Sequence, residues 1–196
     1  MDLEGRLFEN LERVTADEYE RLITPDPNNP AHKDLTTLAE GHIGYIDVAD
    51  EGKDYTAAIV GAIVKNKVYI VDYVFTRDNT DIAIPLAAAM LDKYNVSYCR
   101  VESNNMGAMF GRTLNKMIKG KVLAVHNQQN KITRIIMQSA FVLNNFIWVE
   151  RSGPQYIQFI ENLESFSKEG KNKNDDAPDA TAGLSMFVQA MFKTNF

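Results

Sequence analysis

Residues 42–75, HIGYIDVADEGKDYTAAIVGAIVKNKVYIVDYVF, decide the fold of this 196-residue chain. They contain three apolar runs rich in β-branched residues, and two short polar segments, DEGKDY and KNK, separate these runs. Runs of this composition between short turns are typical of β-strands joined by hairpins. The stretch therefore predicts an antiparallel meander of three strands.

After the meander, helical and strand patterns alternate along the chain. The run 82–95, IAIPLAAAMLDKYN, predicts a helix that tolerates Pro85 only near its first turn. YCRVES at 98–103 predicts a short fourth strand. Further strands are predicted at 121–125 and 146–150, and further helices at 106–118, 131–144, 154–167 and 178–191. This order predicts an α/β fold with a mixed sheet flanked by helices.

The first forty residues differ in composition from the rest. Apolar residues from Leu7 to Leu22 recur at helical spacing, and Thr15 with Glu18 forms a potential capping box. The segment 24–34, TPDPNNPAHKD, contains three prolines and therefore predicts an irregular linker. We expect residues 1–40 to form a helical arm and linker, and residues 41–196 to form the compact domain.

Carboxylates occur at three places where strands end or a helix begins. Asp47 lies near the end of the first strand and Glu102 ends the fourth. The cluster Asp175, Asp176 and Asp179 opens the last helix. Neighbouring strands would bring Asp47 and Glu102 together, and a helix packed on the sheet would add a third acid. Clustered carboxylates repel one another unless a cation neutralises them, so the pattern predicts a site for Mg²⁺ or Mn²⁺.

Each acid also has an ordinary structural interpretation. Asp47 can close a strand before a turn, and Asp175 or Asp176 can cap a helix. Asp54 is a further candidate for the site, whereas Asp72 is expected to face solvent on the third strand. The occurrence of all three places in one chain favours the metal site.

The basic residues are distributed unevenly. The net charge of −5 argues weakly against nucleic-acid binding, yet residues 103–149 contain no acid. No run approaches the roughly 20 apolar residues of a membrane span. A cationic face beside an acidic site suits a metal enzyme that acts on a polyanion, although a solvated helix face would look the same. The basic residues of this stretch are Arg112, Lys116, Lys119, Lys121, Lys131 and Arg134.

Three motifs resemble the nuclease domain of the large terminase subunit of tailed bacteriophages. They are GYIDVADEGKDYTAAIVG at 44–61, RVESNNMG at 100–107 and DDAPDATAG at 175–183. The resemblance covers about residues 41–192. It implies a ribonuclease-H-like fold, in which three antiparallel strands are followed by parallel strands. Holliday-junction resolvases and transposases share this fold.

The resemblance also implies an activity and its residues. The family's enzymes are endonucleases that use two divalent ions, Mg²⁺ or Mn²⁺, to cut concatemeric viral DNA during genome packaging. Asp47 and Glu102 match the first two catalytic and metal-binding acids. The third stays open among the cluster, with Asp179 favoured and Asp176 second. The expected DNA contacts are Lys131, Arg134, Lys121, Lys119 and Arg112.

The implied partners are double-stranded DNA, the ATPase motor domain, the small terminase subunit and the portal. The resemblance does not extend to a motor domain, and we expect no membrane association. The expected location is the cytoplasm of a host cell, for a protein encoded by a virus or prophage. Two alternatives remain open, a nuclease like the Holliday-junction resolvases and a non-catalytic domain that binds DNA or the motor. An actin-like ATPase is disfavoured because no second glycine-rich phosphate loop is present.

Overall fold

A computed structural model of the chain describes residues 5–49, 54–102, 106–170, 172 and 174–191. The strands in these residues are β1 (Arg13–Val14), β2 (Gly41–Asp47), β3 (Thr56–Val64), β4 (Lys67–Thr76), β5 (Tyr98–Glu102), β6 (Lys121–Val125) and β7 (Phe146–Val149). They form one sheet in the order β1-β7-β4-β3-β2-β5-β6. The sheet thus has β2, which carries Asp47, near its middle.

Two layers of helices cover the sheet. One layer contains α1 (Ala16–Ile23), α2 (Thr80–Lys93) and α3 (Gly107–Leu114). The other contains α4 (Lys131–Asn145), α5 (Pro154–Glu164) and α6 (Asp176–Met191). Because helices pack on both faces, every residue of β3 is buried. The apolar residues accordingly form two core clusters, one on each face of the sheet.

The predicted antiparallel meander is confirmed. β2 pairs with β3 from Gly41↔Ile63 to Asp47↔Ala57, and β3 pairs antiparallel with β4. The outer pairs β2–β5, β5–β6 and β4–β7 are parallel. The predicted fold class, a mixed α/β sheet flanked by helices, is therefore confirmed.

The predicted helix from Leu7 to Leu22 is wrong over its first half. The helix begins only after Thr15, whose side chain accepts from the Glu18 backbone N–H in the predicted capping box. Thr15 itself has extended backbone angles, so the helix cannot continue upstream of it. The described residues before it form turns and bends followed by β1, which adds to β7 as a parallel edge strand.

Apolar residues of the segment 5–14 belong to the domain core. Phe8 is fully buried and Leu11 nearly so, both in the cluster beneath α4, α5 and α6. The Leu7 backbone N–H donates to the Phe166 carbonyl at 3.2 Å, which ties the segment to the end of α5. The boundary at residue 40 stays a prediction, but part of the first forty residues packs as an integral piece of the sheet.

Candidate metal centre

The carboxylates of Asp47 and Glu102 are brought together by strand pairing. β2 and β5 are parallel neighbours, and Ile46 lies opposite Val101 in their register. The next residue of each strand is Asp47 and Glu102, so both acids lie at the same level at the end of the sheet. Alternation along β2 places Asp47 on the same face as Tyr45, beneath α6.

Asp179 reaches the same point from the first turn of α6. The helix lies unusually close to β2 because it carries Gly183 where it crosses the ring of Tyr45. A Cβ atom at that position would lie only 2.2 Å from the Tyr45 ring. One turn earlier, Asp179 is 2% exposed and faces the strand ends. One oxygen from each of Asp47, Glu102 and Asp179 lies within 4.8 Å of the others.

The first turn of α6 is held in place by a side chain of α5 and by a backbone N–H just before β3. Asn162 Oδ1 accepts from the Ala177 backbone N–H at 3.0 Å. Asp176 turns toward β3 instead of the triad, since its Oδ2 accepts from the Tyr55 backbone N–H at 3.0 Å. The geometry therefore groups Asp179, and not Asp176, with Asp47 and Glu102. The assignment of ligands stays a prediction.

Lys131 lies inside the acidic cluster. It begins α4, and its Nζ is 3.4 Å from Asp47 Oδ2 and 3.4 Å from Asp179 Oδ2. The same ammonium is 2.9 Å from Asp175 Oδ1 and 3.5 Å from Asp176 Oδ1. Four carboxylates thus converge on one cationic group that is 34% exposed. The Lys131 ammonium thus occupies a position beside the triad at which the carboxylates stabilise a positive charge.

Arg134 follows one turn later on α4, and its guanidinium contacts two carboxylates of the cluster. Its Nε donates to Asp179 Oδ1 at 2.9 Å, and its Nη2 lies 3.3 Å from Glu102 Oε2. The side chain is only 2% exposed. Arg134 therefore faces the carboxylates and has little surface to offer DNA.

The electrostatics reflect the crowding of acids. Burial raises the pKa of the Asp47 carboxyl well above its ordinary range, and the Lys131 ammonium opposes this only in part. The carboxylates of Asp179 and Glu102 raise the Asp47 pKa further. Burial also raises the pKa of Asp176. The hydrogen bond from the Tyr55 N–H and the charge of Lys131 lower this pKa, but burial outweighs them. A cluster with these properties favours either protons or cations.

For Lys131 the balance is the reverse. Burial lowers the pKa of its ammonium, but the carboxylates of Asp47, Asp179 and Asp175 outweigh this and raise the pKa above its ordinary value. These carboxylates therefore stabilise the charged form of Lys131.

The other basic residues predicted to contact DNA lie away from this centre. In the β5–β6 register Lys121 pairs with Tyr98, whereas Glu102 pairs with Val125 four residues further on. Lys119 lies near the end of α2, where its backbone N–H donates to Asp92. Arg112 is on α3, in the opposite helical layer. Whether these three contact DNA stays a prediction, but they do not surround the carboxylates.

The expectation for Asp72 is wrong, because its carboxylate is buried instead of facing solvent. It is 6% exposed and accepts from Tyr156 Oη at 2.8 Å and from Tyr94 Oη at 3.0 Å. Lys93 Nζ adds an ion pair at 3.2 Å. These partners come from both helical layers, so Asp72 connects the layers past the end of β7. Asp54 is exposed, and its charge raises the pKa of Asp176.

Two contacts of the site were not anticipated from the sequence. Asn127 Nδ2 donates to Tyr45 Oη at 3.0 Å, which fixes the ring on which α6 rests. The inward direction of Arg134 was also missed. The spacing of Lys131 and Arg134, three residues apart on one helix, was the available signal that both lie on one face.

The chain is similar to a known sequence family and, in fold, to several solved structures. The sequence model of the family described as "Terminase RNaseH-like domain" matches residues 44–186. No curated protein sequence matches the chain. None of the helices in the described residues is long and apolar enough to span a membrane.

Several solved structures are similar in fold. The human cytomegalovirus terminase nuclease domain, soaked with Mn and bound to an inhibitor, has a TM-score of 0.56 at 13% identity, over 88% of this chain and 91% of that one. The large terminase nuclease of the thermophilic phage G20c has a TM-score of 0.53 at 12% identity, over 72% and 80%. The large terminase of a further thermophilic bacteriophage has a TM-score of 0.58 at 13% identity, over 96% of this chain and 45% of that one.

Proposed function

The chain belongs to the family of terminase RNaseH-like domains, and from this premise we propose that it is a metal-dependent DNA endonuclease. The observation that carries the proposal is the convergence of Asp47, Glu102 and Asp179, one oxygen each, within 4.8 Å. Three hard oxygen donors at this spacing fit a divalent cation such as Mg²⁺ or Mn²⁺. When bound, such ions polarise phosphate oxygens and generate a nucleophilic hydroxide from water.

The charges of the cluster support a need for cations beyond the protein's own. Among the described residues, five carboxylates, those of the triad with Asp175 and Asp176, face two cationic side chains, Lys131 and Arg134. If all are ionised, a net charge of −3 remains in a largely buried volume. Divalent ions would neutralise this charge, because each carries two positive charges and binds hard oxygen donors. We infer two ion positions, one at the triad and one where the Lys131 ammonium lies.

The chain's own residues have distinct tasks in this proposal. Asp47, Glu102 and Asp179 hold the cation at the triad, and Asp176 or Asp175 contributes at the second position. Lys131 is one-third exposed and has a flexible side chain. Its ammonium would move toward solvent if a cation took its place, and would then contact a DNA phosphate. Asp176 is kept in orientation by the Tyr55 N–H, so it faces the second position with its free oxygen Oδ1.

The biological setting follows from the family. We propose that the substrate is concatemeric viral double-stranded DNA and that the cut accompanies genome packaging in the cytoplasm of a host cell. The ATPase motor, the small terminase subunit and the portal are the proposed partners. The match to the family model supports this proposal, and the similarity in fold to the large terminase of a thermophilic bacteriophage covers 45% of that chain.

Nicking of supercoiled plasmid DNA tests the proposal directly. We expect open-circular and linear products with Mn²⁺ or Mg²⁺, none with EDTA, and none from the Asp47→Asn and Glu102→Gln variants. Glu161→Gln, which changes an exposed carboxylate on α5, serves as a matched control that should retain activity. Intact plasmid across full titrations of both metals would contradict the endonuclease. Preferential cleavage of a four-way junction over linear duplex would favour a resolvase-like activity instead.

A further inference from the structure

Arg134 is the most deeply buried cation of the cluster. Its side chain is 2% exposed, and a guanidinium at this depth destabilises the fold unless it is paired with carboxylates in good geometry. The pairing is present: Nε and Nη2 both donate to Asp179 Oδ1, and Nη2 also lies 3.3 Å from Glu102 Oε2. The fork of the guanidinium thus joins two members of the triad that come from different elements, α6 and β5.

The two oxygens of Asp179 have different partners. Oδ1 accepts from Arg134, whereas Oδ2 lies 3.4 Å from the Lys131 ammonium. The contact to Lys131 is long, shared among four carboxylates and partly exposed, so it can be exchanged for another cation. The contacts to Arg134 are shorter and buried. Asp179 therefore presents one fixed oxygen and one available oxygen.

We propose that Arg134 is a positioning residue of the metal centre, whose guanidinium fixes one oxygen of Asp179 and one of Glu102 so that their other oxygens face the cation. The proposal rests on the metal site proposed above. Arg134 thus orients two carboxylates inside the protein. Its role differs from that of Lys131, although both are cations on one face of α4. Asp47, the third member of the triad, has no contact with Arg134 among the described hydrogen bonds and ion pairs.

Two physical effects of Arg134 on metal affinity have opposite signs. As a positive charge a few ångströms from the triad it repels a divalent ion, so its removal would tighten binding. As an outer partner that orients the ligands it strengthens binding, and loss of such partners typically weakens metal affinity about 10–100-fold. The direction of the change therefore distinguishes a positioning residue from a mere neighbouring charge.

The test is Mn²⁺ binding to the purified chain without DNA, measured by isothermal titration calorimetry. We expect Arg134→Gln to bind Mn²⁺ about 10–100-fold more weakly than the wild type. Arg134→Lys keeps the charge but lacks the fork that spans two carboxylates, so we expect it to bind weakly too. Arg21→Gln removes an exposed guanidinium on α1 and should leave the affinity unchanged.

Chemical rescue adds a readout that a purely structural role would not give. Arg134→Ala leaves a cavity the size of the guanidinium, and millimolar guanidinium should restore at least part of the lost Mn²⁺ affinity, whereas ammonium should not. Near-ultraviolet circular dichroism, which reports on the packing of Trp148 and of the tyrosines and phenylalanines, checks the fold of each variant.

Several outcomes would overturn the proposal. Tighter or unchanged Mn²⁺ binding by Arg134→Gln, or wild-type affinity in Arg134→Lys, contradicts positioning. Should Arg134→Gln not fold, Arg134→Lys decides alone. A wild-type chain that binds no Mn²⁺ also overturns it. A wild type that binds Mn²⁺ but leaves plasmid intact contradicts only the endonuclease, and the Arg134 comparison still stands on affinity.

Discussion

Asp47 on β2 and Asp72 on β4 are both 6% exposed, yet their surroundings differ in kind. Asp72 accepts hydrogen bonds from two tyrosine hydroxyls and pairs with Lys93, with no other carboxylate among these partners. Asp47 is surrounded by other carboxylates, and Lys131, 3.4 Å away, is its one described ion pair. Burial alone therefore does not distinguish a structural carboxylate from a candidate metal ligand. What distinguishes them is whether the protein itself supplies enough donors to satisfy the charge.

The largest effect expected from this difference concerns Asp47→Asn. We expect the nicking rate to fall about 1000-fold, equivalent to roughly 4 kcal/mol of activation free energy, because a triad ligand is lost. The free energy of unfolding without metal should not fall, since one of several repelling carboxylates becomes neutral. Rates of supercoiled plasmid loss and urea unfolding curves measure the two quantities. A variant that nicks normally would place Asp47 in the same class as Asp72.

The matched change Asp72→Asn should lower the stability of the fold and leave the nicking rate nearly unchanged. The amide nitrogen cannot accept from a tyrosine hydroxyl or from Lys93, so we expect a loss of about 2 kcal/mol of stability. For a chain of this size, that corresponds to a melting temperature lower by about 6 °C. Nicking by the folded fraction should stay within about twofold of the wild type. A large loss of activity at unchanged stability would contradict the structural role of Asp72.

Removing the ammonium of Lys131 should sharpen the contrast further. Lys131→Met removes the ammonium that competes with a metal ion for the four carboxylates, so we expect Mn²⁺ affinity without DNA to rise about tenfold, or roughly 1.4 kcal/mol. The same titration as for Arg134 measures it, and the two residues should change the affinity in opposite directions. Weaker Mn²⁺ binding by Lys131→Met would show that its ammonium supports the cation site instead of occupying part of it.

The smallest effect expected is on the pH dependence of stability. Because the pKa of Asp47 is raised in the folded protein, the folded state holds a proton that the unfolded state releases near pH 3.8. Stability without metal should therefore fall as the pH rises from about 4 through the raised pKa, and should not fall further above it. Asp47→Asn should lack this component, as urea unfolding in EDTA from pH 4 to 8 can measure. A wild-type curve identical to that of Asp47→Asn would contradict the raised pKa.

The sequence predicted the parts of the site that depend on local pattern. Period-two alternation and turn composition placed Asp47 at the end of a strand, and the short apolar run YCRVE placed Glu102 at the end of another. Proline near the start of the last helix placed the third cluster at a helix N-terminus, and α6 begins at Asp176. These features follow from a few neighbouring residues, so they can be read without knowing the fold.

The wrong expectations share a cause, which is dependence on distant partners. Asp72 was expected to face solvent on the third strand, but the register of β3 and β4 shifts between Val60, which pairs with Asp72, and Gly61. Such a bulge redirects the side chains that follow it, and its position depends on the pairing of two strands. Residues before Thr15 carry helix-like spacing, yet the available edge of β7 makes them a strand and a buried extension.

By itself, the sequence determined the three-strand meander, the alternation of helices and strands after it and the positions of the acids at element ends. The sequence favoured Asp179 but left the third acid open, and the packing of α6 on β2, with Gly183 against Tyr45, places Asp179 beside Asp47 and Glu102. Tertiary structure also decided that Lys131 and Arg134 turn inward. Their partners lie up to 84 residues away along the chain, and only the packing of α4 against α6 brings these charges together.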